Sequence, residues 1–254
     1  MSTSLKLLCA GAAQGVVNAL QQRFADESGA RIEGRFGAVG AMREALLAGE
    51  ACDVMIVTDA MVSALVAAGE LRGDTRAALG RVRTGVAARA EDPRPDIGSV
   101  DALRSSLLAA SALYFPDPQR ATAGIHFDAV LRKLGIHAAV AARCLSFPNG
   151  ATAMRELAAS APAALGCTQI TEIKSTGGVS LLGPLPDELE LSTVYTAAVA
   201  VRSAQPELAR RFIALVAGPQ SHSLRAAGGF EFDGIGGDGV PEQRRVYRPQ
   251  PPYP

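Results

Sequence analysis

Short apolar runs of β-branched character alternate with longer stretches of helical period along most of the chain, and this alternation constrains the fold more than any other feature. Residues 5–9 read as a strand, about 14–27 as a helix, 31–36 as a strand, the stretch to about residue 48 as a helix and 53–58 as a strand. Strands separated by helices mark βαβ units and a mainly parallel sheet, because a parallel neighbour needs a crossover connection. The fold class is therefore α/β. The pattern continues with helix 60–68, strand 83–88, an acidic, proline-containing loop at 91–95, helix 100–107 and strand 112–115. A helix then opens near Thr122, with Ile125, Ala129, Leu131 and Leu134 on its apolar face and Gly135 stopping it.

Residues 143–146 and 164–168 read as strands around a helix at 151–159, for which Asn149 is the expected N-cap. Residues 177–191 are rich in Gly and Pro and read as a loop with a short strand at 179–182. They are followed by strand 195–201, helix 206–217 and a last helical turn at 222–227. From 234 to 254, Gly, Pro, Arg and Gln dominate, which predicts an extended or disordered tail. No internal repeat is visible, so a solenoid or propeller is excluded. Two similar clusters of strands and helices remain, and they predict two lobes with a ligand at the carboxyl ends of strands where the lobes meet.

The 254 residues, 48% of them hydrophobic, suffice for one large domain or two lobes with real cores. Lys and Arg total 25 against 25 Asp and Glu, so no overall field exists for gripping nucleic acid or an anionic membrane. No stretch approaches the roughly 20 apolar residues needed to cross a bilayer, which predicts no membrane insertion. Residues 7–13, after Lys6, are too few and too rich in Ala and Gly for a signal-peptide core, so they read as a strand and turn. On that reading the chain as written has no export signal and would stay in the cytoplasm. Cys9, Cys52, Cys144 and Cys167 lie scattered in apolar segments without zinc or CxxC spacing, and are expected to be buried thiols. His137 and His222 have no acidic or cysteine partners nearby in sequence, so neither a metal nor a cofactor is expected.

Four strand-to-helix turns carry what chemistry the sequence offers. The first holds Ala12, Ala13 and Gln14; the second runs Phe36, Gly37, Ala38, Val39, Gly40. The third follows Phe115 and carries Arg120, Thr122 and Ala123; the fourth contains Asn149. Free N–H groups at a helix start attract an anion, and small residues let it approach the backbone. Arg120 is the one cation in such a turn, either a two-point holder of a carboxylate or a solvated loop residue. Thr168 and Gln169, polar residues just after an apolar strand end, could donate to a ligand, while Glu172 could cap a helix. Neither a GxGxxG fingerprint nor a GxSxG nucleophile elbow occurs.

Several landmarks stand in an order that resembles the extracellular solute-binding proteins of the molybdate-binding type. They are the turn at 36–40, Leu47, Ala48 and Gly49, the run 53–59, Asp117 and Pro118, residues 123–125 and 131–135, Leu165 and Gly166, residues 218–220, and Gly229 with Phe230. The resemblance covers about residues 4–232 and implies a two-lobed type II periplasmic-binding-protein-like fold with a mixed sheet in each lobe. It places lobe 1 at 1–85 plus 193–233, lobe 2 at 86–192, and crossings near residues 85 and 193. It also implies a small anionic ligand and, for an exported protein, an ABC transporter permease as partner. The family's Ser in each of the first two turns falls at Ala12 and Val39, and its Tyr at Gln169, which disfavours molybdate. Arg120, Thr122, Asn149 and Gln169 suit a small organic carboxylate instead. One branch with this fold isomerises an unsaturated tricarboxylic acid such as aconitate, and that alternative would need a base, for which His126, Glu172 and Asp117 are weak candidates.

Overall fold

The computed structural model describes residues 3–232, so the tail expected at 234–254 lies outside the described residues. The first part of the chain runs β1 (Ser4–Ala10), α1 (Gln14–Ser28), β2 (Arg31–Gly37), α2 (Val39–Leu47), β3 (Val54–Thr58) and α3 (Asp59–Ala67). It continues through β4 (Ala77–Arg89), α4 (Val100–Ala109), β5 (Leu113–Pro116), α5 (Thr122–Lys133), α6 (His137–Val140), β6 (Cys144–Phe147) and α7 (Gly150–Ala158). The last part holds β7 (Leu165–Gln169), α8 (Ile170–Lys174), β8 (Val179–Pro184), β9 (Ser192–Val199), α9 (Pro206–Ala217) and α10 (His222–Gly228). Strand β1 pairs in parallel with both β2 and β3. No helix is long and apolar enough to cross a membrane among the described residues.

The strands follow the order β2-β1-β3-β9-β4-β7-β5-β6, with β8 also on β4. The sheet is mixed rather than mainly parallel, because β9 runs antiparallel to β3 and β4, and β4 antiparallel to β7 and β8. Strand β4 belongs to both halves. Its residues up to Arg83 pair with β9, and from Thr84 onward they pair with β7. One hydrophobic cluster gathers β1, β3, α1, α9 and the first half of β4, with Phe24 edge-on to Phe212 at 5.2 Å between ring centroids. A second gathers α4, β5 and α5, with Phe115 edge-on to Phe127 at 5.3 Å. Each fully buried Leu or Phe in these clusters contributes about 1.5–3 kcal/mol, so both halves are held by ordinary apolar burial.

Two local expectations change. Helix α5 buries Ala123, Phe127, Val130 and Leu131, whereas Ala129 is exposed and Ile125 only half-buried. The true stripe has the i, i+4, i+7, i+8 spacing of one helix face, with the large Phe127 at its centre. Of the four free thiols, Cys9, Cys52 and Cys167 are buried as expected, while Cys144 is only half-buried at the start of the short strand β6.

Candidate functional site

The carboxyl ends of four parallel-type strands meet at one place. Ala10, Gly37, Pro116 and Gln169 are the last residues of β1, β2, β5 and β7, and all four line one cleft. The starts of the following helical segments complete its wall: Gly11 and Ala12, Ala38 and Val39, Ala121 to Ala123, and Asn149 with Gly150. Glu172 and Tyr195 close it from the side. This is where ligands sit in open α/β sheets, outside the strand ends and at the helix N-termini.

Capping decides how those helix starts can be used. Helices α2 and α5 open on Ala38 and Ala121, which have extended backbones and make no side-chain cap. Their first-turn amides lack an intrahelical acceptor by geometry and are aimed at the cleft end. The amide of Gly40 is taken, donating to the Arg120 carbonyl at 3.0 Å. Helix α7 differs, because the Asn149 side chain accepts from the Thr152 amide at 2.8 Å. Its first two amides, of Gly150 and Ala151, are bound by the Glu172 carboxyl, which also accepts from the Gln169 amide. The Thr168 hydroxyl donates to Glu172 Oε2 at 2.6 Å. An internal carboxyl thus occupies the anion position that the fourth turn offered.

Glu172 is 5% exposed, and its carboxyl fills space left by two glycines 139 positions apart, Gly11 and Gly150. A Cβ at either would overlap a Glu172 oxygen. Burial pushes the Glu172 carboxyl above the usual carboxylate range, with the four hydrogen bonds opposing that shift. The Tyr195 phenol is likewise pushed up, mainly by burial and then by the neighbouring Glu172, while a hydrogen bond with Thr122 works the other way. It therefore stays neutral and able to donate. No lysine or arginine lines the cleft among the described residues, and no cluster of three His, Cys, Asp or Glu side chains that could hold a metal occurs there.

The expected site residues distribute unevenly. Ala12, Val39, Thr122, Ala123, Asn149 and Gln169 line the cleft. Ala13 is buried and Gln14 half-buried just beyond it, and the Thr168 hydroxyl is engaged by Glu172. Arg120 lies outside the lining, with its guanidinium 3.6 Å from Glu44 of α2 and half exposed. Its carbonyl accepts from the Gly40 amide, so the residue ties the α5 turn to α2. Of the three proton-transfer candidates only Glu172 reaches the cleft. His126 Nε2 contacts the Leu189 carbonyl at 2.7 Å, and burial lowers its pKa. Asp117 Oδ1 accepts from the Gln119 and Arg120 amides and shapes the turn.

Tyr195 escaped the sequence reading, as did the contact of Gly11 and Gly150, two residues of the first and fourth turns, with Glu172. Tyr195 reads there only as the start of a strand. It reaches the cleft because β9 is antiparallel and sets Tyr195 opposite Thr58, the last residue of β3.

Known proteins share this architecture. The periplasmic molybdate-binding protein of Azotobacter vinelandii superposes with a TM-score of 0.76 over 90% of this chain and 99% of its own, at 20% identity. A sulfate-binding protein of Mycobacterium tuberculosis gives 0.71 over 90% and 86%, at 17% identity. An aconitate isomerase of Pseudomonas is 25% identical over 223 residues, which is 85% of this chain and 82% of that protein. Residues 5–231 match the family described as bacterial extracellular solute-binding protein. The chain belongs to that family.

Proposed function

We propose that the cleft binds a small organic carboxylate. The observation that carries this reading is the pairing of two uncapped helix starts with an apolar wall. Ala10, Ala12, Val39, Pro116, Ala121 and Ala123 stand beside the free amides of α2 and α5. A tetrahedral oxyanion is polar at every corner and finds no hydroxyl at Ala12 or Val39. An acid with one charged head and a hydrocarbon body matches donors on one side and methyl groups on the other. The two halves of the sheet, 1–85 with 193–233 and 86–192, would close over it by bending where β4 changes partner, and a membrane transporter permease would receive it.

The test is a thermal-shift screen of organic acids against sulfate, molybdate and tungstate, since a ligand that binds only the folded state raises its apparent stability. Stabilisation by a carboxylate and none by the inorganic anions is expected. Stabilisation by the inorganic anions alone would overturn the proposal.

A second reading rests on Glu172, a buried carboxyl with a raised pKa in the cleft, and on the similarity to an aconitate isomerase. There Glu172 would release one of its four hydrogen bonds, take a proton from the bound acid beside a double bond and return it at another carbon. Conversion of cis- to trans-aconitate, with solvent deuterium entering the product and Glu172→Gln abolishing both, would establish it. No conversion by the native chain would remove it.

A further inference from the structure

Gln169 ends β7 and lines the cleft, yet its side chain is 2% exposed and neither Nε2 nor Oε1 has a hydrogen-bond partner among the described residues. A buried primary amide left open at both atoms is rare, because each lost hydrogen bond leaves a desolvation cost uncompensated. Thr168 is bonded to Glu172, Glu172 accepts from three backbone amides, and the Tyr195 oxygen is bonded with Thr122, while the hydroxyls of Thr84, opposite Gln169 on β4, and of Thr171 have no partner either. A ligand in the cleft that brings an acceptor for Nε2 and a donor for Oε1 would answer both atoms of Gln169.

A fully ionised carboxylate, sulfate or molybdate has no donor, and would set a lone pair against Oε1. An ammonium group would supply one, but the cleft leaves it no free carboxylate oxygen, because both Glu172 oxygens are held in the clamp between Gly11 and Gly150. A carboxylic acid group answers both atoms at once. Its O–H donates to Oε1 while its carbonyl accepts from Nε2, in a cyclic two-bond pair. The absence of a lining cation favours the same form, since a second ionised carboxyl would be buried without a counter-charge.

Building on the carboxylate reading above, we infer that the cleft takes a polycarboxylic acid with one carboxylate on the free helix amides and a second, protonated carboxyl paired with the Gln169 amide. Gln169 is then the residue that separates polycarboxylic acids from fully ionised oxyanions such as sulfate and molybdate.

The experiment titrates the protein with succinate and maleate, with the monoamide of each and with the monomethyl ester of each, by calorimetry at several pH values. The monoamide offers the same donor and acceptor without needing a proton, whereas the ester lacks the donor. At neutral pH the monoamide is expected to bind at least about tenfold more tightly than the ester, the effect of one buried donor left unanswered. Diacid affinity should fall by up to about tenfold per pH unit above its second ionisation, while monoamide affinity falls less. Ionisation of Glu172 would weaken diacid and monoamide alike, so the difference between them isolates the ligand's proton. In Gln169→Leu the preference of monoamide over ester should vanish, and the native series decides the question even where that variant does not fold. Equal binding of acid, monoamide and ester would overturn the inference and leave the carboxylate reading standing. Binding of sulfate or molybdate with none of the six acids would overturn both.

Discussion

Helices α3 and α4 start on Thr58 and Ser99, whose hydroxyls accept from the Met61 and Ala102 amides at 3.3 and 3.1 Å. Helices α2 and α5 start on alanine and make no such bond. A side-chain cap stabilises a helix by about 0.5–2 kcal/mol, so its omission at two helix starts that share a cleft leaves their amides to be satisfied by a ligand. Helix α7 stands between the two kinds. It opens on the same cleft, but its amides are already satisfied by Asn149 and Glu172. On the reading proposed above, affinity would reside in α2 and α5, with α7 serving as the fixed wall.

The sharpest way to break the comparison is to give a cleft helix the cap it lacks. In Ala121→Asp the new carboxylate should occupy the α5 amides and repel the ligand, lowering carboxylate affinity by about 100-fold or more with thermal stability kept or raised. Calorimetry with a melting curve checks both halves of that statement.

Glu172 supplies the next effect, in the ligand-free protein. Its folded-state pKa is raised above the unfolded value, so the folded protein holds the extra proton and its contribution to stability is full at low pH. That contribution is lost as pH rises from the ordinary carboxylate range through the raised value. Glu172→Gln should flatten this part of the melting-temperature profile, and an unchanged slope would assign it elsewhere.

Capped helices should show the converse of α5. Ser99→Ala is expected to cost about 1 kcal/mol in denaturant unfolding, with ligand affinity unchanged. Smallest of all is Arg120→Ala. Its ion pair with Glu44 is half exposed on both sides, so a change in affinity of less than about threefold is expected by calorimetry.

Much of the fold was legible because its elements announce themselves locally. Pro206 at the first turn of α9, Asn149 before α7 and the apolar run of β3 each carry a short-range signal, and the family resemblance supplied the mixed sheet. The first half of β4 was hidden. Ala77, Ala78 and Gly80 have no β-branched character, and Gly80 takes a positive φ of 140° where the register with β9 shifts. Only the partner strand makes that stretch a strand.

The cleft was legible as turns and illegible as an electrostatic object. That Ala38 and Ala121 leave amides free follows from their side chains. That Glu172 fills the fourth anion position depends on Gly11 and Gly150, which meet only in the folded chain. Arg120, the one cation visible in a turn, finds its partner on α2, at a distance in sequence that no local pattern reveals.

The central claim is that the free amides of α2 and α5 hold the ligand, and amide chemical shifts report on them directly. Titrating the labelled protein with the carboxylate that stabilises it most should move the backbone amides of Val39, Thr122 and Ala123 furthest, while those in the first turn of α4 stay in place. Saturating binding that leaves those three amides unmoved would contradict the account.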